Sequence, residues 1–227
     1  IHTCIMIGDD IKPSRGVESH ADAGVDAITG APQPKLDATD GTDNMTTHKP
    51  ETDDKKHPGV KQFMESGNHI LSGKPFLIEG YKPMSIPNYN LSPIQTRDLF
   101  NHYGWSNIIG FHTRNVPHRG HLFIQKKSLL EINADGILIS PVTGLKKSGD
   151  FKASVIIRCY EDLINDGQYE PYGTLIGSFN SYSRYCGPRE AVFTAICRKN
   201  LGCNYFIVGR DHTGFNEYYS QDASQKI

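Results

Sequence analysis

Short apolar runs alternate with longer mixed polar and apolar segments along the chain from Pro93 onward. The runs predict buried strands at "SNIIGFH", "GILISPV", "TLIGSF" and "NYFIVG". The segments between them predict helices over "SPIQTRDLFNHYG", roughly His118 to Asn133, about Ala153 to Asn165, and "GPREAVFTAICRKNLG". This alternation is typical of an α/β domain with a parallel sheet and helices on its faces, and ligands bind such sheets outside the carboxyl ends of the strands.

Helix start and stop signals support two of these helices. Ser92 is a predicted N-cap, with Pro93 at the first helical position. The last helix has Pro188 near its start and Glu190 in its first turn. Its end is marked by the basic residues Arg198 and Lys199, with Gly202 just beyond.

The N-terminal part of the chain has a different composition. Residues 13–56 are rich in Asp, Thr, Gly, Pro and Ala and lack aromatic side chains. Such a segment buries too little apolar surface to offset its ordering entropy, so we expect a disordered polar linker or insertion there. Residues 1–12 form a short remnant before it. "HPGVKQFMES" then resumes an ordered pattern, and "KPFLIEGYK" is a candidate strand.

Composition excludes some classes of partner. The net charge of −1 gives no general electrostatic reason for binding nucleic acid or an acidic membrane. No apolar run approaches the about 18 residues of a membrane span, and the N-terminus lacks the basic start of a signal peptide. The five cysteines are scattered without a C-x-x-C pair, as expected of small buried hydrophobic residues in a reducing, cytoplasmic protein.

Two loops that follow predicted strands concentrate polar chemistry. "HTRNVPHRGH", residues 112–121, places His118 and His121 on one face of a helix start, where free N–H groups and the helix dipole favour anions. Arg114 and Arg119 add positive charge, and Gly120 permits close approach to the backbone. We interpret this loop as a phosphate-binding site, although it matches neither the P-loop nor the G-x-G-x-x-G pattern.

The second loop is "GRDHTG", residues 209–214, which leaves the same predicted edge of the sheet. Gly209 would let a nucleotide lie against the backbone. The alternative is that Arg210 and Asp211 form an ordinary surface ion pair. Other basic residues lie in "TGLKKSGD" and "SRYCGPRE", where Lys146 and Lys147 are typical of solvated charges and Arg184 and Arg189 of helix-end residues.

These residues together resemble the ATP sulfurylase (sulfate adenylyltransferase) family. The motifs that carry the resemblance are "HTRNVPHRGH", "LKKSGD", "IRCYE" and, most specifically, "RYCGPREAVFTAICRKNLGCNYFIVGRDHTG" over residues 184–214. "HPGV" and "SPIQTRDLF" extend the likeness, so that it covers roughly residues 57–227. The resemblance implies a Rossmann-like nucleotidylyltransferase domain over residues 93–227. It also implies the end of a PUA-like, β-rich N-terminal domain over residues 57–92.

The resemblance also implies chemistry and site residues. Sulfate would be joined to the AMP part of ATP, giving adenosine 5′-phosphosulfate and pyrophosphate. The implied catalytic residues are Thr113, Arg114, Asn115, His118 and His121. ATP would be bound by Arg114, Asn115, His118 and His121 together with Gly209, Arg210, Asp211 and His212. Mg²⁺ would arrive with ATP, since no carboxylate cage is visible, and identical chains are expected to assemble into an oligomer.

The sequence departs from the family pattern at the acceptor end. The family Gln that helps bind sulfate is His112 here, the Ala after G-R-D-H is Thr213, and Val116 replaces a Pro. The expected sulfate site is therefore His112, Arg114 and Thr213, with adenylyl transfer retained and acceptor preference altered. The family pattern continues beyond "SQDASQKI", so the chain is expected to be truncated at both ends.

Three alternatives remain open from the sequence. One is a nucleotidylyltransferase that uses the same histidine pair with another oxyanion acceptor. Another is a non-catalytic nucleotide-binding relative, which would bind an ATP analogue without pyrophosphate exchange. The least favoured is a metal-binding module on the histidines, because no third residue has metal-ligand spacing.

Overall fold

The computed structural model describes residues 4–7, 52–65, 87–144, 146 and 149–226, with only the backbone of residues 4–7. Its strands are β1 (Cys4–Ile7), β2 (Ile108–Thr113), β3 (Gly136–Pro141), β4 (Gly173–Ile176) and β5 (Tyr205–Val208). Its α-helices are α1 (Pro58–Glu65), α2 (Pro93–Tyr103), α3 (Arg119–Glu131), α4 (Ala153–Asn165) and α5 (Pro188–Asn200). Two short 3₁₀ helices cover Pro87–Tyr89 and Ala223–Gln225.

The described strands form one sheet in the order β1-β5-β2-β3-β4. Strands β2 to β5 are parallel, which confirms the predicted α/β fold with a parallel sheet. Strand β1, which the sequence did not predict, pairs antiparallel with β5. The chain moves outward from β2 to β4 and then returns to the other side of β2. The strand order therefore reverses between β2 and β5. In open α/β sheets this reversal leaves a crevice at the carboxyl ends of the two strands, and ligands usually bind there.

The helix boundaries follow local capping. Ser92 and Gln95 form a capping box at the start of α2, and Gly104 ends that helix with φ of 70°. Helix α4 matches the predicted bounds. Helix α3 is shorter than predicted, because His118 is its N-cap rather than its first residue and Asn133 adopts a left-handed φ of 49°.

Apolar side chains fill both faces of the sheet. Ile109, Ile137 and Ile139 pack in one cluster with buried residues of α3 and α4. On the opposite face, Phe100 of α2 packs with Ile108 and Leu138 in a second cluster. Burying each such side chain contributes about 1.5–3 kcal/mol, so the sheet is held rigidly between two helical layers. Successive side chains of β2 thus point to opposite helical layers, which determines on which face of the sheet each residue near the end of β2 lies.

Several expectations fall partly or wholly outside the described residues. The polar segment 13–56 is described only from residue 52, the candidate strand 74–82 is not described, and residues 57–92 are described only at 57–65 and 87–92. Cys186, Cys197 and Cys203 are buried and form no disulfide, as expected, whereas Cys159 is only half-buried. Among the described residues, no helix has the length and apolarity needed to cross a bilayer.

Candidate active site

The loop that follows β2 is held by a short hydrogen-bonded turn. The buried hydroxyl of Thr113 accepts from the Asn115 backbone N–H at 3.1 Å and lies 3.2 Å from the Asn115 carbonyl oxygen. This turn leaves Asn115 exposed and Arg114 half-buried. Thr113 therefore shapes the loop, while Arg114 and Asn115 are the residues whose side chains can meet a ligand.

Arg114 connects the two loops that the sequence singled out. Its Nη2 atom donates to the carbonyl oxygen of Gly214 at 3.5 Å, and its guanidinium carbon lies 4.8 Å from the centre of the Tyr185 ring. Its Nη1 atom is buried and has no hydrogen-bond partner among the described residues. Residues 112–121 and 209–214 therefore meet at one edge of the sheet, beside the β2–β5 crevice.

His118 and His121 lie together at the start of α3. Their rings are stacked with centroids 3.8 Å apart. The Nδ1 atom of His118 accepts from the backbone N–H groups of Gly120 at 3.1 Å and of His121 at 3.4 Å. The expectation of free backbone donors here is thus corrected: the imidazole of His118 caps two of them. A capping Nδ1 carries no proton, so a neutral His118 holds its proton on Nε2.

His121 is neutral at physiological pH. Burial and, to a smaller extent, the adjacent His118 lower its pKa to about 4, against the raising effect of a hydrogen bond to the Val116 backbone. Its Nδ1 atom is buried and unpaired within the described part of the chain. His121 therefore adds no positive charge to the start of α3.

The loop after β5 divides into outward and inward residues. Arg210 and Asp211 are exposed, and a Cβ atom added at Gly209 would meet nothing within 4 Å, which leaves room beside its backbone. His212 is buried, with its ring edge-on to Phe206. Burial and the charge of Arg198 lower the pKa of His212 to about 3. The predicted contact of its imidazole with a nucleotide is not favoured by this inward position.

Thr213 does not present its hydroxyl to the crevice. The Oγ1 atom lies 2.8 Å from the carbonyl oxygen of Gly187 and 2.7 Å from that of His212. Its one proton is thus directed at protein carbonyls. The expectation that Thr213 adds a hydroxyl donor for the acceptor anion is corrected accordingly.

Three non-glycine residues near Arg114 have left-handed backbones. Tyr185, Asp211 and Thr213 have φ values of 58°, 54° and 56°. The backbone N–H of Gly187 donates to the Thr213 carbonyl at 3.1 Å, which joins the turn before α5 to the loop after β5. These conformations therefore lie in two segments that are hydrogen-bonded to each other.

Glu190 stabilises the turn that carries Tyr185. Its buried carboxylate accepts from the backbone N–H of Arg184 at 2.9 Å and of Cys186 at 3.1 Å. Burial raises its pKa, against the lowering effect of these hydrogen bonds. The sequence presented Glu190 only as a first-turn acid of α5, since nothing local marks it as a support for residues 184–186.

Two further cationic side chains were given no role in the site by the sequence analysis. Arg198, taken as a helix-end residue, is fully buried, and its Nη2 atom lies 2.8 Å from the Nδ1 atom of His112. Lys146 is half-buried rather than solvated, and its Nζ atom donates to the Phe151 carbonyl at 3.1 Å. Lys147 lies outside the described residues. In the described part of the chain, no three His, Cys, Asp or Glu side chains are grouped to hold a metal ion.

Comparison with known proteins identifies relatives over most of the chain. The family model for ATP-sulfurylase matches residues 87–227. A sulfate adenylyltransferase of Microcystis aeruginosa is 45% identical over 177 residues, which is 78% of this chain and 44% of the relative. One of Aeropyrum pernix is 46% identical over 78% of this chain and 45% of the relative. The chain thus spans about half the length of the curated relatives it matches.

One solved structure has a weaker likeness. The hexameric APS kinase from Thiobacillus denitrificans aligns with a TM-score of 0.45 and 20% identity, covering 54% of this chain and 24% of that chain. This similarity is too low to support any conclusion about the site.

Proposed function

The chain belongs to the ATP-sulfurylase family, and on that premise we propose that the protein transfers the adenylyl group of ATP to sulfate. The products are adenosine 5′-phosphosulfate and pyrophosphate. The observation that carries the proposal is the contact of Arg114 with Gly214, which brings the loops after β2 and β5 together at the reversal of strand order. Arg114 thereby lies at the crevice beside the β2–β5 reversal, which is where we propose that the triphosphate lies.

The reaction joins two anions, and this is the difficulty that the site must overcome. A sulfate oxygen attacks the α-phosphorus of ATP as the bond from that phosphorus to the bridging oxygen of pyrophosphate breaks. No proton needs to be removed from sulfate, which is fully ionised at neutral pH. The protein therefore contributes alignment and positive electrostatic potential rather than a general base.

Arg114 is proposed to act between the two reactants. Its Nη1 atom is buried without a partner in the described part of the chain, so a ligand oxygen would satisfy a donor that is otherwise unpaired. Asn115 is exposed beside it and would donate its amide to ATP. Thr113 contributes by holding the turn through its hydroxyl.

His118 and His121 are proposed to stabilise the phosphates as donors. The proton of neutral His118 lies on Nε2, because Nδ1 accepts from two backbone N–H groups. A donor aimed at the phosphorane oxygens or the leaving pyrophosphate gains strength as negative charge develops there. The positive end of α3 adds to this effect even with its first N–H groups capped.

Gly209, Arg210 and Asp211 are proposed to bind the nucleotide. The open space beside Gly209 suits a base or ribose lying against the backbone, and Arg210 is exposed for contact with phosphate. His212 is retained as a neighbour of this loop rather than a direct contact. Mg²⁺ is proposed to enter with the phosphates of ATP, and none of the described side chains is assigned as its ligand.

The sulfate end is proposed to comprise His112, Arg114 and the backbone at Thr213. His112 is half-buried at the end of β2, directly before the Thr113 turn. Replacement of an amide by an imidazole at this position favours a second candidate, transfer to another tetrahedral oxyanion such as selenate or molybdate. Both candidates use the same nucleotide site.

The setting of this domain is also part of the proposal. Residues 57–92 are assigned to the end of a PUA-like domain, residues 93–227 to the catalytic domain, and residues 13–56 to a polar connection. We propose a cytoplasmic, homo-oligomeric enzyme without nucleic-acid or membrane partners, consistent with the net charge of −1.

A pyrophosphate-release assay on the full-length chain tests the proposal with sulfate, selenate, molybdate and inorganic phosphate. We expect sulfate-dependent release that falls by roughly two to three orders of magnitude in Arg114→Gln. Arg158→Gln, the same change at an exposed arginine of α4, is the matched control. Release with selenate or molybdate but not sulfate would favour the second candidate. Binding of an ATP analogue without release with any acceptor would contradict both.

A further inference from the structure

The side chain of His112 lies on the face of β2 opposite to the helix α3 that carries His118 and His121. Ile109 and Phe111 pack into the cluster that includes α3 and α4 residues, so the alternation of the strand turns Gly110 and His112 toward α5. His112 is 5.8 Å from Phe179 and 5.7 Å from His212, measured between ring centres. Its surroundings therefore differ from those of His118 and His121.

The residue that reaches His112 from α5 is Arg198. Its side chain is fully buried, and its Nη2 atom lies 2.8 Å from the Nδ1 atom of His112 and 3.5 Å from the Ser140 carbonyl. The guanidinium carbon lies 4.0 Å from the centre of the Phe179 ring. The side chain passes over Gly110, where a Cβ atom would come within 2.7 Å of Arg198 Cγ. The absence of a side chain at Gly110 thus leaves room for Arg198.

This contact determines where His112 carries its proton. A guanidinium has N–H donors and no acceptor, so the Nδ1 atom of His112 must accept and must be unprotonated. The ring is then neutral with its proton on Nε2. Burial lowers the pKa of His112 well below the usual value. Electrostatic repulsion from Arg198, from His212 and from Arg114 lowers it further. Burial lowers the pKa of Arg198 to about 10, so it stays charged at neutral pH.

The Nε2 atom of His112 remains available. It has no hydrogen-bond partner among the described residues, and the side chain is only half-buried. Arg114 near it is also a pure donor, and the Thr213 hydroxyl is directed at two carbonyls. An anion at this end of the crevice therefore meets the N–H donors of His112 and Arg114.

We infer that Arg198 is a positioning residue that keeps His112 as the neutral Nε2–H tautomer, so that the acceptor end selects a tetrahedral oxyanion carrying no proton. Sulfate and selenate fulfil this condition at neutral pH. Hydrogen phosphate carries a P–OH group that would need an acceptor, and an unmade hydrogen bond at a buried site weakens binding. The inference rests on the proposed function for the identity of the acceptor, and the tautomer can be measured without it.

The first test is ¹⁵N NMR of the full-length chain labelled at histidine, with His112 assigned by its loss in His112→Gln. We expect a neutral ring with Nε2 protonated at neutral pH and still at the ordinary histidine pKa of about 6.5. Addition of sodium sulfate should shift the Nε2 resonance, and an equal concentration of inorganic phosphate should shift it far less. A proton on Nδ1, titration near the ordinary pKa, or equal shifts with both anions would overturn the inference.

The second test is the pH profile of the KM values for sulfate and for ATP. Arg198→Met should raise the KM for sulfate by roughly tenfold or more, the cost of a lost hydrogen bond to an anion, and should make it depend on pH. The KM for ATP should stay within a factor of about two, because His112 lies at the acceptor end. In His112→Gln/Arg198→Met the pH dependence should disappear, which a purely structural role of Arg198 does not predict. An unchanged KM for sulfate in Arg198→Met would contradict the inference.

The tests remain decisive if the variant fails to fold or if the wild type is inactive with sulfate. If Arg198→Met does not fold, Arg198→Lys keeps a buried cation with a shorter reach, and the wild-type tautomer still decides the question. If the wild type releases no pyrophosphate with sulfate, the proposed function fails. The NMR tautomer and the anion titration then test Arg198 and His112 on their own.

Discussion

The imidazole of His118 stacks on that of His121 and also caps the helix on which His121 lies. One side chain therefore has a structural role through Nδ1 and offers a ligand donor through Nε2. A substitution can separate these roles if it retains an acceptor at the N-cap.

For His118 we compare substitution by Asn with substitution by Ala. Asn is a good N-cap, so His118→Asn should keep the thermal stability of the protein, whereas His118→Ala should lose about 0.5–2 kcal/mol. Both should reduce turnover by roughly two to three orders of magnitude, because both remove the Nε2–H donor. Thermal melts and pyrophosphate release on the same samples check this. Wild-type turnover in His118→Asn would contradict the assigned role.

The stability of the fold should decrease in mild acid. His121 and His212 have folded pKa values of about 4 and about 3, both below the unfolded value near 6.5. Between pH 6.5 and pH 4 the unfolded chain therefore binds more protons than the native one. The free energy of unfolding should be constant above about pH 7 and should fall as the pH decreases through that window.

Urea unfolding at several pH values measures this slope. His121→Gln cannot titrate and should show a shallower loss of stability between pH 6.5 and pH 4. His102→Gln, at an exposed position on α2, is the control and should follow the wild type. Identical slopes for all three proteins would contradict a neutral, buried His121.

Glu190→Gln should destabilise the turn before α5. A carboxylate accepts from both Arg184 and Cys186, whereas an amide places an N–H group against one of these donors. We expect a loss of about 1–3 kcal/mol in unfolding free energy and a weaker hold on Tyr185 beneath Arg114. Glu131→Gln, an exposed change at the end of α3, should be neutral. Chemical denaturation of the two variants provides the comparison.

His57→Ala should release the segment at residues 52–65 from the site. The buried ring accepts at Nδ1 from Gly59 and Val60, so its Nε2–H donates to the Tyr185 carbonyl at 2.9 Å. Without it, amide hydrogen exchange should increase at Gly59, Val60 and residues 184–187 and remain unchanged in β3. Exchange that increases uniformly across the chain would indicate general unfolding instead and would contradict a local link.

The sheet and its order of elements were predictable because each strand is a short apolar run followed by a helix with recognisable caps. The bounds of α4 followed from this pattern alone, and so did the meeting of the two polar loops. Strand β1 was missed because four residues of antiparallel edge strand have no helix to mark them. Its partner β5 is about two hundred residues away along the chain.

The local sequence could not show which polar residues are buried. Arg198 and Lys199 are adjacent in the last turn of α5, but Lys199 is exposed while Arg198 extends under the sheet. Only the absence of a side chain at Gly110, on a different element, makes room for it. Thr213 was likewise expected to be a free donor, but its hydroxyl donates to the carbonyl of Gly187, which lies on a different element.

The left-handed backbones of Tyr185, Asp211 and Thr213 have an implication for protein engineering. A left-handed conformation costs a non-glycine residue about 1–2 kcal/mol, and most for a β-branched one such as Thr213. Screening libraries for heat resistance alone would therefore enrich glycine at the exposed Asp211, whereas at the buried Tyr185 the lost ring would cost more than the relieved strain. Such variants would melt later and yet lose the restraint around Arg114, so a screen for a more durable catalyst must score turnover in every round.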